Sequence, residues 1–84
     1  MKPNRKRINP IKVGDKVKIR SIDWYNSNKD AFGVVHCGYE FTKSMSEYCG
    51  EIATIKSCVG FNCYTIDIDN NYHKWTPRMF EKYD

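Results

Sequence analysis

The chain has 84 residues, 40% of them apolar and 29% charged, which is enough for one domain with a small core and no more. The net charge of +4 is unevenly placed: residues 1–20 carry +7 and residues 21–84 carry −3, so any field that attracts polyanions belongs to the N-terminal part. No segment has the length of a membrane span, and the basic start runs into Ile8-Asn9-Pro10 rather than an apolar stretch. The expected compartment is therefore the cytoplasm, with no membrane partner and with Cys37, Cys49, Cys58 and Cys63 as free thiols.

Residues 1–10 hold Lys2, Arg5, Lys6 and Arg7 with two prolines and little to bury, the composition of a flexible basic arm. Residues 11–84 read as one β domain. Ile11–Asp15 is a turn into the first strand, Lys16–Arg20, where Val17 and Ile19 point inward and Lys16, Lys18 and Arg20 outward. Ser21–Asp30 reads as a loop because Asn, Ser, Asp and Lys dominate it, although it contains Trp24-Tyr25. Phe32-Gly33-Val34-Val35 reads as a short irregular strand that ends before Gly38. Thr42–Tyr48 reads as a helical turn, with Ser44 and Glu47 at capping-box spacing and Gly50 as its stop.

The most informative stretch is Glu51–Tyr83. Ala53 and Ile55 alternate with Thr54 and Lys56, and then Tyr64, Ile66 and Ile68 alternate with Thr65, Asp67 and Asp69. A period of two puts the first set of each run inside and the second in water. Cys58–Asn62 is the hairpin loop between them, with Gly60 and Asn62 as residues that tolerate positive φ, and Asp69-Asn70-Asn71 is a second turn. Tyr72–Trp75 returns as a short strand with Trp75 in the core. Thr76 and Pro77 have the chemistry of an N-cap and first helical position, and Arg78–Glu81 forms about one turn. Met79 and Phe80 then plug one end of a small five-stranded barrel, an all-β fold with a C-terminal helical turn.

The order Gly14-Asp15-Lys16-Val17, Met45 to Gly50, Thr54-Ile55, Tyr64-Thr65-Ile66 and Trp75-Thr76-Pro77-Arg78-Met79-Phe80 is similar to a skeleton found in small SH3-like proteins of bacteriophages and mobile elements. More distantly, it resembles the SH3-like repeats of mind bomb ubiquitin ligases. The likeness spans roughly residues 11–81 and implies an SH3-like barrel. It implies no activity, because the phage proteins have none assigned as a class. The mind bomb repeats bind peptides, but no residue here matches theirs position by position.

Candidate chemistry is sparse. Cys58 and Cys63, separated by four residues, and the long spacings to Cys37, Cys49, His36 and His73 fit small buried or half-buried thiols better than a zinc site. His36 and Cys37 are adjacent on a strand, so they face opposite ways and do not form a nucleophile and base. Asp67 and Asp69 read as a solvated strand face with Lys56 across the hairpin. No glycine-rich phosphate loop is present. Neither an enzyme nor a cofactor is expected.

Two binding surfaces compete. An aromatic face formed by Trp24, Tyr25, Tyr39 and Phe61, with Tyr25 and Tyr39 exposed, would take an unknown protein or peptide. Alternatively, Lys2, Arg5, Lys6 and Arg7, continued by Lys16, Lys18 and Arg20, would bind nucleic acid. A non-enzymatic interaction module is the expectation, and a nucleic-acid-binding barrel the alternative.

Overall fold

A computed structural model describes residues 11–83. The expected basic arm, with Lys2, Arg5, Lys6 and Arg7, lies outside the described residues. Six strands are present: β1 (Lys16–Ile19), β2 (Val35–Cys37), β3 (Tyr39–Phe41), β4 (Ile52–Gly60), β5 (Cys63–Ile66) and β6 (Phe80–Tyr83). One helix, α1 (Ile22–Asn28), follows β1, and two 3₁₀ turns cover Ser44–Tyr48 and Pro77–Met79. The strands form a four-stranded antiparallel sheet in the order β5-β4-β1-β6 and a separate β2–β3 hairpin. The fold is thus a small antiparallel β domain with one short helix.

The count of five strands is corrected to six among the described residues: the expected strand Tyr72–Trp75 is reduced to a bridge between Trp75 and Tyr64, Tyr39–Phe41 is added, and the expected turn Arg78–Glu81 shifts to Pro77–Met79, so that Phe80 and Glu81 open β6. Gly38 does not simply break a strand; it joins two, with Cys37 paired to Tyr39 across it. At φ +99° this position favours glycine, and a Cβ there would stand 3.1 Å from Thr76 Cγ2.

The loop expected at Ser21–Asp30 is instead α1. Ser21 is its N-cap, with Oγ accepting from Trp24 N at 3.1 Å. Seven residues are too few for a helix to persist on intrinsic propensity. Tertiary packing supplies the rest: Tyr25 is buried against Phe41 at a ring separation of 5.8 Å, and Trp24 meets Phe41 edge-on at 5.2 Å.

The 3₁₀ turn at Ser44–Tyr48 forms where expected, with Met45 buried, but without the Ser44–Glu47 capping box. The turn is opened by Thr42 instead, whose carbonyl accepts from Met45 N and Ser46 N and whose hydroxyl pairs with Ser44 Oγ at 3.1 Å.

In the hairpin, β4 runs on to Gly60, so the loop is only Phe61-Asn62, and Asn62 supplies the positive φ of 51°. Asn70 and Asn71 have φ of 56° and 61°, as their turn requires. The outward set on β5 needs correction. All four residues of β5 are buried, Thr65 included, and its hydroxyl meets Ser57 Oγ at 2.6 Å. β5 ends at Ile66, so strand alternation no longer governs Asp69. That residue turns inward and is 5% exposed. Asp67 stays exposed, but its carboxylate accepts from Thr54 N at 3.0 Å rather than facing Lys56.

The core is a set of rings and branched chains around Trp75, which is fully buried. Phe41 approaches it edge-on at 5.8 Å and Phe80 stacks at 6.3 Å. Asp69 Oδ2 accepts from Trp75 Nε1 at 3.0 Å and from His73 N at 2.9 Å. Val17, Ile19, Ala53 and Ile55 are buried, as the alternation of β1 and β4 requires. Among the described residues, no helix is long and apolar enough to cross a membrane.

Candidate partner-binding site

Three segments far apart in the chain meet at one surface. Gly38 turns β2 into β3 and sets Tyr39 on the rim. The β4–β5 turn presents Phe61 and Asn62. The segment Thr76-Pro77-Arg78 forms the third side. Between them lies a concavity of about 370 Å³. Thr76 Oγ1 donates to Cys37 O at 2.7 Å and so locks the third side to the β2–β3 hairpin. Thr76 is the N-cap of the 3₁₀ turn and Pro77 its first residue, as the sequence indicates, but its hydroxyl makes this long-range bond. Tyr39 is half exposed, and the neighbouring Cys63 thiol pushes its pKa above the ordinary value. Phe61 is 95% exposed.

A second concavity of about 270 Å³ adjoins the first and shares Cys37 and Arg78 with it. Arg20, Trp24, Asn28 and His36 also line it. Arg20 Nε donates to Arg78 O at 3.1 Å, and the Arg20 guanidinium lies 5.6 Å from the Trp24 ring centre, within cation–π range. The Cys37 thiol between the two concavities is raised by burial, against the opposing pull of Arg78, the Thr76 hydrogen bond and Arg20. All four cysteines are free, and Cys37, Cys49 and Cys63 are buried or half-buried as expected, but Cys58 is corrected to exposed, since it lies in the part of β4 that runs beyond the core toward the turn. Cys58 pairs across the hairpin with Tyr64 and Cys63 with Gly60, so the two thiols are out of register. His36 is exposed while Cys37 is buried, on opposite faces of β2. Among the described residues, no three His, Cys, Asp or Glu side chains are grouped to hold a metal ion.

The four aromatic residues singled out from sequence are therefore divided. Tyr39 and Phe61 share the first concavity, and half-buried Trp24 lines the second. Tyr25 is corrected: it is 4% exposed, and its hydroxyl donates to Gly33 O at 2.7 Å, so it belongs to the core. Sequence reasoning passed over Pro77 and Arg78 as parts of a surface. Their only signal is the step from a buried Trp into a capped turn, which forces the next residues outward. The cations of β1 and of the residue after it have internal contacts: Lys16 Nζ bonds Thr54 Oγ1 at 3.3 Å, Lys18 lies 3.5 Å from Glu81, and Arg20 Nε donates to Arg78 O.

Beside the second concavity, Asp30 closes a tight loop. Its carboxylate accepts from Phe32 N at 2.8 Å and Val34 N at 3.1 Å, and lies 2.9 Å from His36 Nε2. The His36 bond, followed by the two amides, holds the Asp30 carboxyl below its ordinary value of 3.8. A depressed folded-state pKa contributes stability that is complete above the unfolded value and is lost as pH falls through the folded one. Asp30 should thus titrate below 3.8 in a carboxyl-detected NMR titration, and His36→Ala should move it upward. A wild-type midpoint at or above the ordinary value would contradict this geometry.

Comparison with protein-family models, with curated proteins and with solved structures gives no match, so the site is read from its own chemistry.

Proposed function

We propose that this chain is a non-enzymatic SH3-like binding module, of phage or mobile-element type, that holds an extended peptide between Tyr39, Phe61 and Pro77. The observation that carries the reading is Phe61, almost wholly exposed at a two-residue turn beside a concavity whose walls are tied by a buried hydrogen bond. A large apolar ring held in water at a rigid site is the signature of a partner surface. Support for an SH3-like arrangement comes from the order of elements. A long excursion follows β1, the β4–β5 hairpin comes next, and a 3₁₀ turn precedes β6, which pairs with β1. The β1 cations Lys16 and Lys18, engaged with Thr54 and Glu81, favour peptide over nucleic acid as the ligand of the described surface.

The test is selection of peptides from a displayed random library on the immobilised protein, followed by fluorescence anisotropy of the enriched sequences. Tyr39→Ala and Phe61→Ala should each weaken binding by about tenfold or more, the level of an interface anchor. The Phe61→Ala melting curve should stay close to wild type, because the ring is exposed. Failure to enrich any peptide, or enrichment indifferent to both substitutions, would remove this reading.

A further inference from the structure

We propose that the groove selects acidic peptides, in which an apolar residue sits on Tyr39, Phe61 and Pro77 and a neighbouring carboxylate is held by Arg78 and Arg20. This deepens the peptide-binding reading and rests on it. The argument is charge complementarity. Residues 21–84 carry −3, yet neither concavity is lined by any Asp or Glu, while Arg20, Arg78 and His36 all border them. The Asp30 and Glu40 carboxylates beside the second concavity face His36, at 2.9 and 4.0 Å.

The two arginines form a unit. Arg20 Nε is spent on Arg78 O, which fixes the two residues side by side and leaves the outer Arg20 nitrogens to donate. The Arg78 guanidinium has no hydrogen-bond or ion-pair partner among the described residues and is exposed. Both cations act on the same Cys37 thiol, which places them around one wall shared by the two concavities. Guanidinium forks match carboxylate geometry, and such charge-assisted bonds are about twice as strong as neutral ones. Asn62 in the first lining offers its side-chain amide to the peptide backbone, and Asn28 in the second, whose Nδ2 donates to Trp24 O at 2.8 Å, offers its Oδ1.

The experiment uses three pools of fluorescein-labelled decapeptides with a fixed central Phe. Flanking positions are randomised over Ala and Ser with Asp/Glu, with Asn/Gln, or with Lys/Arg. A twelve-residue oligo-dT serves as a fourth probe, and anisotropy is read in 50 mM salt. The expected result is an acidic pool bound at least about tenfold more tightly than the others. Arg78→Gln should remove about tenfold of that affinity, and Arg78→Glu should turn the preference toward the basic pool. Arg78 is exposed, so both variants should melt like wild type.

An acidic preference that survives Arg78→Gln at full size overturns the proposal, because it then arises elsewhere, as on the basic residues 1–10. Equal binding of all three pools that is lost in Tyr39→Ala overturns the acidic preference and leaves the peptide groove standing. No binding of any pool overturns both. Binding of oligo-dT alone, weakened by Arg78→Gln, overturns both in favour of a single-stranded nucleic acid.

Discussion

Replacing Trp75 with alanine should destabilise the fold by about 3–5 kcal/mol, the range for deleting a large buried aromatic. The indole is fully buried and has ring neighbours in Phe41, Phe80, Tyr48 and His73. It also joins two parts of the molecule through its backbone, exchanging hydrogen bonds of 2.8 Å with Tyr64 in both directions. A domain of this size has a total stability of roughly 4–13 kcal/mol. The variant should therefore lose a large share of that total, with a Tm at least about 12 °C lower. Thermal and urea unfolding followed by circular dichroism would measure it. A loss under about 1 kcal/mol would mean that Trp75 is not packed as described. Trp75→Phe, which keeps the ring but gives up the Nε1 donor, should fall between the two.

The second large effect belongs to Asp69. Its Oδ2 is the acceptor for both Trp75 Nε1 and His73 N. Asp69→Ala leaves two donors without their partner, and each such buried loss costs about 1–3 kcal/mol. The sum is about 2–6 kcal/mol, toward the lower end because the His73 N–H is only part-buried. Asp69 Oδ1 is buried with no hydrogen-bond partner among the described residues, so Asp69→Asn, which retains one acceptor oxygen, should cost less than half as much. Coupling separates this account from simple loss of packing. In a Trp75→Phe background the indole donor is already gone, and Asp69→Ala should cost at least about 0.5 kcal/mol less than in wild type. Strict additivity in the urea-derived values would show that the Asp69–Trp75 bond contributes nothing.

The parts of the fold that were legible in sequence are those in which a local rule and the tertiary environment agree. Val17 and Ile19 alternate with cations because one face of β1 is covered by core. Asn62, Asn70 and Asn71 mark turns because their left-handed backbone selects asparagine. Trp75 before Thr76-Pro77 reads as core because a capped turn follows it. The parts that were not legible depend on distant neighbours. α1 has polar composition and is held by Tyr25 and Trp24 against Phe41, a residue introduced by a later strand. Its local signals are Ser21 at the N-cap and Asp23 in the first turn. Asp69 continues a period-two pattern on paper, but the strand has already ended, and a partner six residues on draws it inward. The candidate site is the extreme case. Tyr39 and Phe61 were visible as aromatic residues in polar surroundings. Arg78 acquires its place only when three segments close around one concavity, and no short-range pattern encodes that.

β1 comes first among the described strands but lies in the interior of its sheet, between β4 and β6. Its partners are encoded late: Val17 pairs with Ala53 on one side, and Ile19 with Phe80 on the other. On a ribosome adding about 5–20 residues per second, β1 is made several seconds before either neighbour exists. For that interval Val17 and Ile19 have no core to enter. Lys16, Lys18 and Arg20 flank them at every second position, and charges so placed discourage a lone apolar strand from pairing with another chain. The basic stripe thus has a use before the protein is folded, as a guard on the strand that must wait longest for its partners.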